Sequence, residues 1–198
     1  MIKQIDGYPV GYFSLDQCDI KSLQEHYLDD ILDYTESDNI ISPEASISCN
    51  RNSDEMSDDF FDKLHLKTQK YFTEYLSWFN FNFSYRTTIK SWYNVHEEHD
   101  HQPLHNHITH GNPAFSSVLI LKQPNDKSGQ LAMRNPNLSN HLKSLDLDPY
   151  DDFPNIDTPI MKDGVFIVFP STLEHYVMYN QTKEKRVIMA SNFFIKRT

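Results

Sequence analysis

Hydrophobic positions recur with a helical period in the first part of the chain and with a period of two, or in short runs, after it. Residues 8–15, Tyr-Pro-Val-Gly-Tyr-Phe-Ser-Leu, read as a short strand with edge character, because Pro9 has no N–H to give to a ladder. Leu23, Tyr27, Ile31 and Tyr34 then fall at helical spacing, and Asp19 or Ser22 is placed to cap a helix running to about Asp33. Residues 36–57 are polar and rich in turn formers, which predicts a loop. A second helix is predicted over about 58–79. Ser57 or Asp58 is its N-cap, Asp58 and Asp59 suit the positive helix start, and Phe61, Leu64, Thr68, Phe72, Tyr75 and Phe79 form one apolar stripe. Such a stripe must be covered, and a sheet is the natural partner.

From Asn82 the period changes to two. Phe83, Tyr85, Thr87, Ile89, Ser91 and Tyr93 alternate with Ser84, Arg86, Thr88, Lys90, Trp92 and Asn94, which predicts a long strand with two different faces. A histidine-rich loop follows, His96-Glu-Glu-His99-Asp-His101-Gln-Pro-Leu, leading into His105-Asn-His107. Further strands are predicted over 114–122, 130–134, 159–162, 164–169, 175–179 and 185–196, with a Pro-, Asn- and Asp-rich loop over 135–158. Helices first and then about eight short strands predict an α+β, mainly β chain whose sheet part is a sandwich or jelly roll. The chain reads as one domain, with an N-terminal strand and helices over 1–81 and a β core over 82–198.

Composition narrows the function classes. The 198 residues carry 18 basic and 28 acidic side chains, a formal charge of −10 with histidine neutral, and no basic stripe occurs, so nucleic acid is not an expected partner. Cys18 and Cys49 belong to no metal or redox spacing and read as two reduced thiols. No apolar leader or bilayer-length run is present, so no membrane partner and a cytoplasmic location are expected. The aromatic content, with 13 Phe and 11 Tyr, favours sheet.

Chemistry is concentrated in histidine. In an extended segment, alternate side chains share a face, so His105 and His107 point the same way. His175, after the apolar run Val165–Phe169 and its Pro-Ser turn, is the distal partner. Iron(II) used for oxygen chemistry is held by a few ligands on one face of the ion, usually two histidines and one carboxylate. Here the middle member is a histidine, so the set is three neutral imidazoles, which also suits zinc. Ten histidines in the chain make a chance H-x-H easy, and His99-Asp-His101 is a second one six residues upstream.

The order of motifs carries a family resemblance. Ile89-Lys-Ser-Trp-Tyr-Asn-Val95, Gln102-Pro-Leu-His-Asn-His107, Ser116-Ser-Val118, Ser128-Gly-Gln-Leu131, Gly164-Val-Phe-Ile-Val-Phe-Pro-Ser171, His175 and Arg186 to Asn192 together resemble a family of 2-oxoglutarate/Fe(II)-dependent oxygenases. That family is found in marine bacteria and their phages and is distantly similar to prolyl hydroxylases. The resemblance implies a double-stranded β-helix (jelly roll) with the N-terminal helices packed on one sheet. It implies Fe(II) on His105, His107 and His175, and 2-oxoglutarate and dioxygen (O2) as cosubstrates. Arg186 is implied to pair with the distal carboxylate of 2-oxoglutarate, which an arginine fork matches by two parallel hydrogen bonds. The implied reaction is hydroxylation of a C–H bond in a second substrate, a peptide, protein or small molecule, with release of succinate and carbon dioxide. For a virally encoded chain the location is the host cytoplasm.

Two departures from the family pattern bear on turnover more than on fold. Ser116-Ser117-Val-Leu-Ile stands where the family often has Ser-Gly and a pair of aromatics. Ile188 stands where many such oxygenases place a serine on the cosubstrate, so hydrogen bonding to 2-oxoglutarate is reduced or comes from Asn94, Tyr93 or Asn192. Trp92, Phe115, Phe166 and Phe169 read as core. The alternatives are a non-catalytic jelly-roll binding or virion-associated protein, and a cupin-like metal protein that does not use 2-oxoglutarate. Neither the prime substrate nor the oligomeric state is written in the sequence.

Overall fold

The computed structural model describes residues 1–5, 8–37, 50–52, 58–108, 111–134 and 161–198. Its strands are β1 (Ile2–Ile5), β2 (Tyr8–Ser14), β3 (Asn50–Asn52), β4 (Tyr85–His96), β5 (Gln102–His105), β6 (Phe115–Lys122), β7 (Leu131–Arg134), β8 (Val165–Pro170), β9 (Glu174–Val177) and β10 (Arg186–Arg197). Helices α1 (Gln17–Ser37) and α2 (Asp58–Ser77) precede most of them. The major sheet has the order β1-β2-β8-β6-β10-β4-β3 and the minor sheet β5-β9-β7, all antiparallel. Two such facing sheets, with both helices on the outside of the larger one, form the expected mainly-β double-stranded β-helix.

The centre of the major sheet, at β6, β8 and the first half of β10, is buried on both faces. On β6 and β10, Leu119, Leu121, Val187 and Met189 join the helix-side core with Phe13, Leu23, Leu64, Phe72 and Tyr75. Their neighbours Val118, Ile120, Ile188 and Ala190 join the core between the sheets with Leu131, Met133, Phe169 and Val177. A strand covered on both sides needs apolar residues at every position, which is why these segments read as continuous runs.

Helix α2 seats its stripe as predicted. Leu64, Thr68, Phe72 and Tyr75 are buried, and Phe61 and Phe79 are partly buried against the same core. Phe72 stacks on Phe193 with ring centroids 3.8 Å apart, while Tyr75 meets Phe115 edge-on at 5.3 Å. The Tyr75 hydroxyl donates to the Pro9 carbonyl at 2.9 Å. Gly11 makes that approach possible, because a Cβ there would lie 2.8 Å from the Tyr75 ring. Lys67 ties α2 to α1 through Asp19 at 2.6 Å.

Several boundaries differ from the sequence expectation. Helix α1 starts earlier, with the Asp16 carbonyl accepting from the amides of Asp19 and Ile20. Strand β2 is not at an edge, because β1 pairs along its outer side, and Pro9 is accommodated ahead of the β8 pairing that begins at Gly11. Asn50–Asn52 is a strand paired to Tyr93–Val95, not a loop. Gln102–His105 is likewise a strand, paired to β9. The segment expected as a strand over 159–162 has none at Met161 and Lys162. Ser57, Cys49 and the 135–158 loop lie outside the described residues, and Cys18 is an exposed free thiol.

The α2 stripe generates a stability prediction. Phe72→Ala removes a ring stacked in the helix-side core, so unfolding free energy from urea titration should fall by about 3–5 kcal/mol. A loss below about 1 kcal/mol would show that the helix does not hold the sheet.

Candidate metal and cosubstrate site

The minor sheet lies over one end of the inner face of the major sheet, and a pocket sits between them. It is lined by Trp92 and Asn94 of β4, Arg186, Ile188 and Ala190 of β10, Gln102 and His105 of β5, and His175 of β9, with His107, Phe169 and Leu131 among the others. Cross-strand pairing explains the alignment. Trp92 faces Ala190, Asn94 faces Ile188 and His96 faces Arg186, and residues directly opposite share a face.

At one end, one ring nitrogen from each of His105, His107 and His175 lies within 4.8 Å of the other two. His105 is half-buried, and His107 and His175 are buried. The two β-strand histidines are oriented in the same way. His105 Nδ1 is 2.8 Å from the Pro103 carbonyl and His175 Nδ1 is 3.0 Å from the Leu173 carbonyl, and since a carbonyl only accepts, both Nδ1 atoms carry the proton. Both rings therefore offer an Nε2 lone pair, the arrangement in which backbone partners fix a metal-binding tautomer. His107 lies against Trp92 with centroids 5.9 Å apart, and its amide donates to the Ser171 carbonyl at 3.0 Å.

This geometry fits a divalent ion. Nε2 of His107 and Nε2 of His175 are 3.1 Å apart. Two lone pairs at that separation repel unless a proton or a cation lies between them, and two nitrogens each ~2.1 Å from one ion at a right angle would be about 3.0 Å apart. Burial pushes the His175 proton affinity well below the ordinary histidine range, with His105 and His107 adding to the effect and the Leu173 carbonyl opposing it. The ring is therefore neutral at neutral pH, the form that binds metal. His99 and His101 do not join this cluster. His99 is exposed with a positive φ of 71°, and His101 packs on Tyr179 at 4.3 Å.

At the other end Arg186 is fully buried, and its Nε donates to Gln123 Oε1 at 2.9 Å. Asn94 is buried beside it, and its Oδ1 accepts no hydrogen bond among the described residues. The other two residues expected near the cosubstrate are placed differently. Tyr93 points to the opposite face and sits in the helix-side core. Asn192 faces inward but is bonded through Oδ1 to the Ser116 hydroxyl at 2.8 Å, which also meets the Ser171 hydroxyl at 2.8 Å. Sequence reasoning did not single out Gln123, Ser171 or His96. His96 is buried against Arg186 and His101; burial first, then these two neighbours, hold its proton affinity well below the ordinary value.

The pocket thus joins three converging histidines and a buried arginine inside a double-stranded β-helix. The sequence model of the family described as "Putative 2OG-Fe(II) oxygenase" matches residues 90–192, and the chain belongs to that family. Solved structures with this fold include a Pseudomonas putida prolyl-4-hydroxylase, at TM-score 0.60 and 11% identity, covering 93% of this chain and 91% of that one. The non-heme alpha ketoglutarate dependent epimerase SnoN from nogalamycin biosynthesis matches at TM-score 0.64 and 15% identity, over 95% and 77% of the two chains. HygX from Streptomyces hygroscopicus, with nickel and 2-oxoglutarate bound, matches at TM-score 0.61 and 15% identity, over 95% and 82%. The chain spans 57% of the length of a 2OG-Fe(II) oxygenase family oxidoreductase from Burkholderia pseudomallei. No curated protein matches it significantly. None of the described helices is long and apolar enough to cross a membrane.

The strongly depressed histidines His96 and His175, with His65 lowered by burial as well, set a pH dependence. For a group whose folded proton affinity is lowered, the unfolded chain binds the proton first, so stability is full above about pH 6.5 and is lost as pH falls below it. The metal-free protein should therefore show a urea midpoint that declines on acidification through that range, and His96→Gln should flatten the decline. An unchanged slope in the variant would show that His96 titrates normally.

Proposed function

We propose that the chain is an Fe(II)- and 2-oxoglutarate-dependent hydroxylase in which His105, His107 and His175 hold the metal and Arg186 holds the cosubstrate. The observation that carries this is one pocket with three converging ring nitrogens at one end and a fully buried arginine at the other. In balanced form, 2-oxoglutarate, dioxygen and a substrate C–H give succinate, carbon dioxide and a C–OH. When bound, iron supplies adjacent positions for cosubstrate and dioxygen and the electrons for activating dioxygen.

The chain's own residues position and exclude. The Pro103 and Leu173 carbonyls keep His105 and His175 in the ligating tautomer. Gln123 fixes the Arg186 guanidinium through Nε, so that its fork is oriented toward the pocket to pair with a distal carboxylate. Ile188 lines the pocket and has no hydroxyl to give, and its cross-strand partner Asn94 supplies the amide that takes over. Phe169 packs on His175 and Trp92 on His107, so apolar rings wall the histidine cluster. Asn192, bonded to Ser116, and Tyr93, in the other core, support the site from behind. A peptide or protein substrate and a cytoplasmic setting, the host's for a viral chain, complete the proposal.

Two measurements test it. His175→Ala should abolish high-affinity Mn(II) or Fe(II) binding, followed anaerobically by calorimetry or magnetic resonance, while a soaked crystal that places the ion on His99 and His101 would defeat the assignment. Arg186→Met should weaken 2-oxoglutarate binding to the metal-loaded protein by roughly 2–5 kcal/mol and leave metal affinity nearly unchanged. An unchanged 2-oxoglutarate affinity in that variant would favour the metal protein that does not use this cosubstrate.

A further inference from the structure

The inner face of β4 and β10 does not stop at the pocket. Beyond the Trp92–Ala190 row it continues through Lys90–Asn192, Thr88–Phe194 and Arg86–Lys196, each a cross-strand pair on the same face. Along these rows Lys90, Thr88, Arg86 and Lys196 are exposed and Phe194 is half-buried, while Asn192 is buried against Ser116; the Trp92, Asn94, Ile188 and Arg186 rows are buried. His107 lies on Trp92, so the Lys90–Asn192 row begins next to the histidine cluster. These exposed residues lie on the pocket's own face of the sheet, beside its histidine end.

This surface is cationic in a chain of charge −10. Not one of the 28 acidic residues falls within 75–96, 101–125 or 185–198, the stretches that carry β4, β5, β6 and β10. Among the described residues, Arg86, Lys90 and Lys196 enter no ion pair, while Lys67, Lys70 and Lys185 each have an acidic partner. Cations left without local counter-charge raise the potential over a surface and draw an anionic partner to it. Lys90 and the Arg86–Lys196 row are two rows apart, about 13 Å at roughly 3.3 Å per residue. One small anion does not span that distance, but an extended chain with acidic residues about four positions apart does. Phe194 between the rows and Ile108, exposed on the segment after His107, offer apolar contact to the same chain. Three cations are few for a polynucleotide, whose binding commonly neutralises about 6–10 phosphates.

We infer that the second substrate is an acidic peptide segment that lies extended along the exposed rows of β4 and β10, its carboxylates on Lys90, Arg86 and Lys196. This rests on the reading of the histidine pocket as the oxidation site, which makes this end of the sheet the entrance.

The test is fluorescence anisotropy on the full chain, without metal and again with Mn(II) and 2-oxoglutarate. The probes are labelled oligoglutamate of about eight residues, enough to cover three rows at roughly 3.3 Å per residue, oligoglutamine of equal length and oligothymidylate of equal length. Oligoglutamate should bind in both states, weaken with added salt, and lose about ten-fold or more in affinity in the R86E/K196E and K90E variants. Lys21→Glu, on the exposed face of α1, should leave it unchanged, and circular dichroism and Mn(II) affinity should be as in the parent for all variants. The inference is overturned if oligoglutamine binds as well, if the charge-reversed variants keep the parent affinity, or if oligothymidylate binds more tightly than oligoglutamate. Failure of peptide binding with metal and 2-oxoglutarate binding intact refutes this inference alone. Peptide binding with no 2-oxoglutarate binding instead removes the oxygenase reading.

Discussion

The pairing of β10 with its two neighbours is the constraint on which the rest depends. Twelve register pairs join it to β4, from Arg186–His96 to Arg197–Tyr85, and β6 pairs along its other side from Val187 to Phe193. A strand buried on both faces has no water to turn to, so its backbone groups must be met within the sheet. That requirement fixes the register, and the register fixes which side chains look inward. A slip of one residue would send Arg186, Ile188 and Ala190 into the helices and Val187 and Met189 into the pocket.

A ligand set of three imidazoles would change the electrostatics that a carboxylate-containing set provides. With neutral ligands, a divalent ion held there would keep its full double charge, and the pocket wall adds Arg186 as a further cation. Such a site would favour anionic ligands over neutral ones, and a dicarboxylate would meet both centres at once. Without any ion, burial first and then the neighbouring His105 and His107 rings already disfavour a proton on His175, which leaves its lone pair free for a cation.

What could be read in the sequence followed from period and spacing. The α2 stripe and the alternation of β4 are periodic, and both were legible. The histidine triad was legible as residue types, because H-x-H in an extended segment fixes a shared face, although its meeting with His175 depended on β5–β9 pairing that no local pattern shows. Gln102–His105 passed for a loop because it is only four residues long and contains Pro103. Asn50–Asn52 was hidden because three polar residues carry no hydrophobic period to read. Tyr93 and Asn94 are adjacent and both polar, and only the register decides that one faces the helices and the other the pocket. Gln123 was not legible at all, since its contact with Arg186 spans 63 residues of chain.

The short reach of β3 has a consequence for how copies of this protein behave together. It pairs only with Tyr93–Val95, so among the described residues the outer edge of β4 from Tyr85 to Trp92 has no strand beside it. An open edge of that length is a template for a second copy to add a strand and begin a stack. Arg86 and Lys90 stand along it, and two copies meeting edge to edge would bring like charges together. Solubility at high concentration and recognition of an acidic chain therefore draw on the same two side chains, which places them under two selective pressures at once.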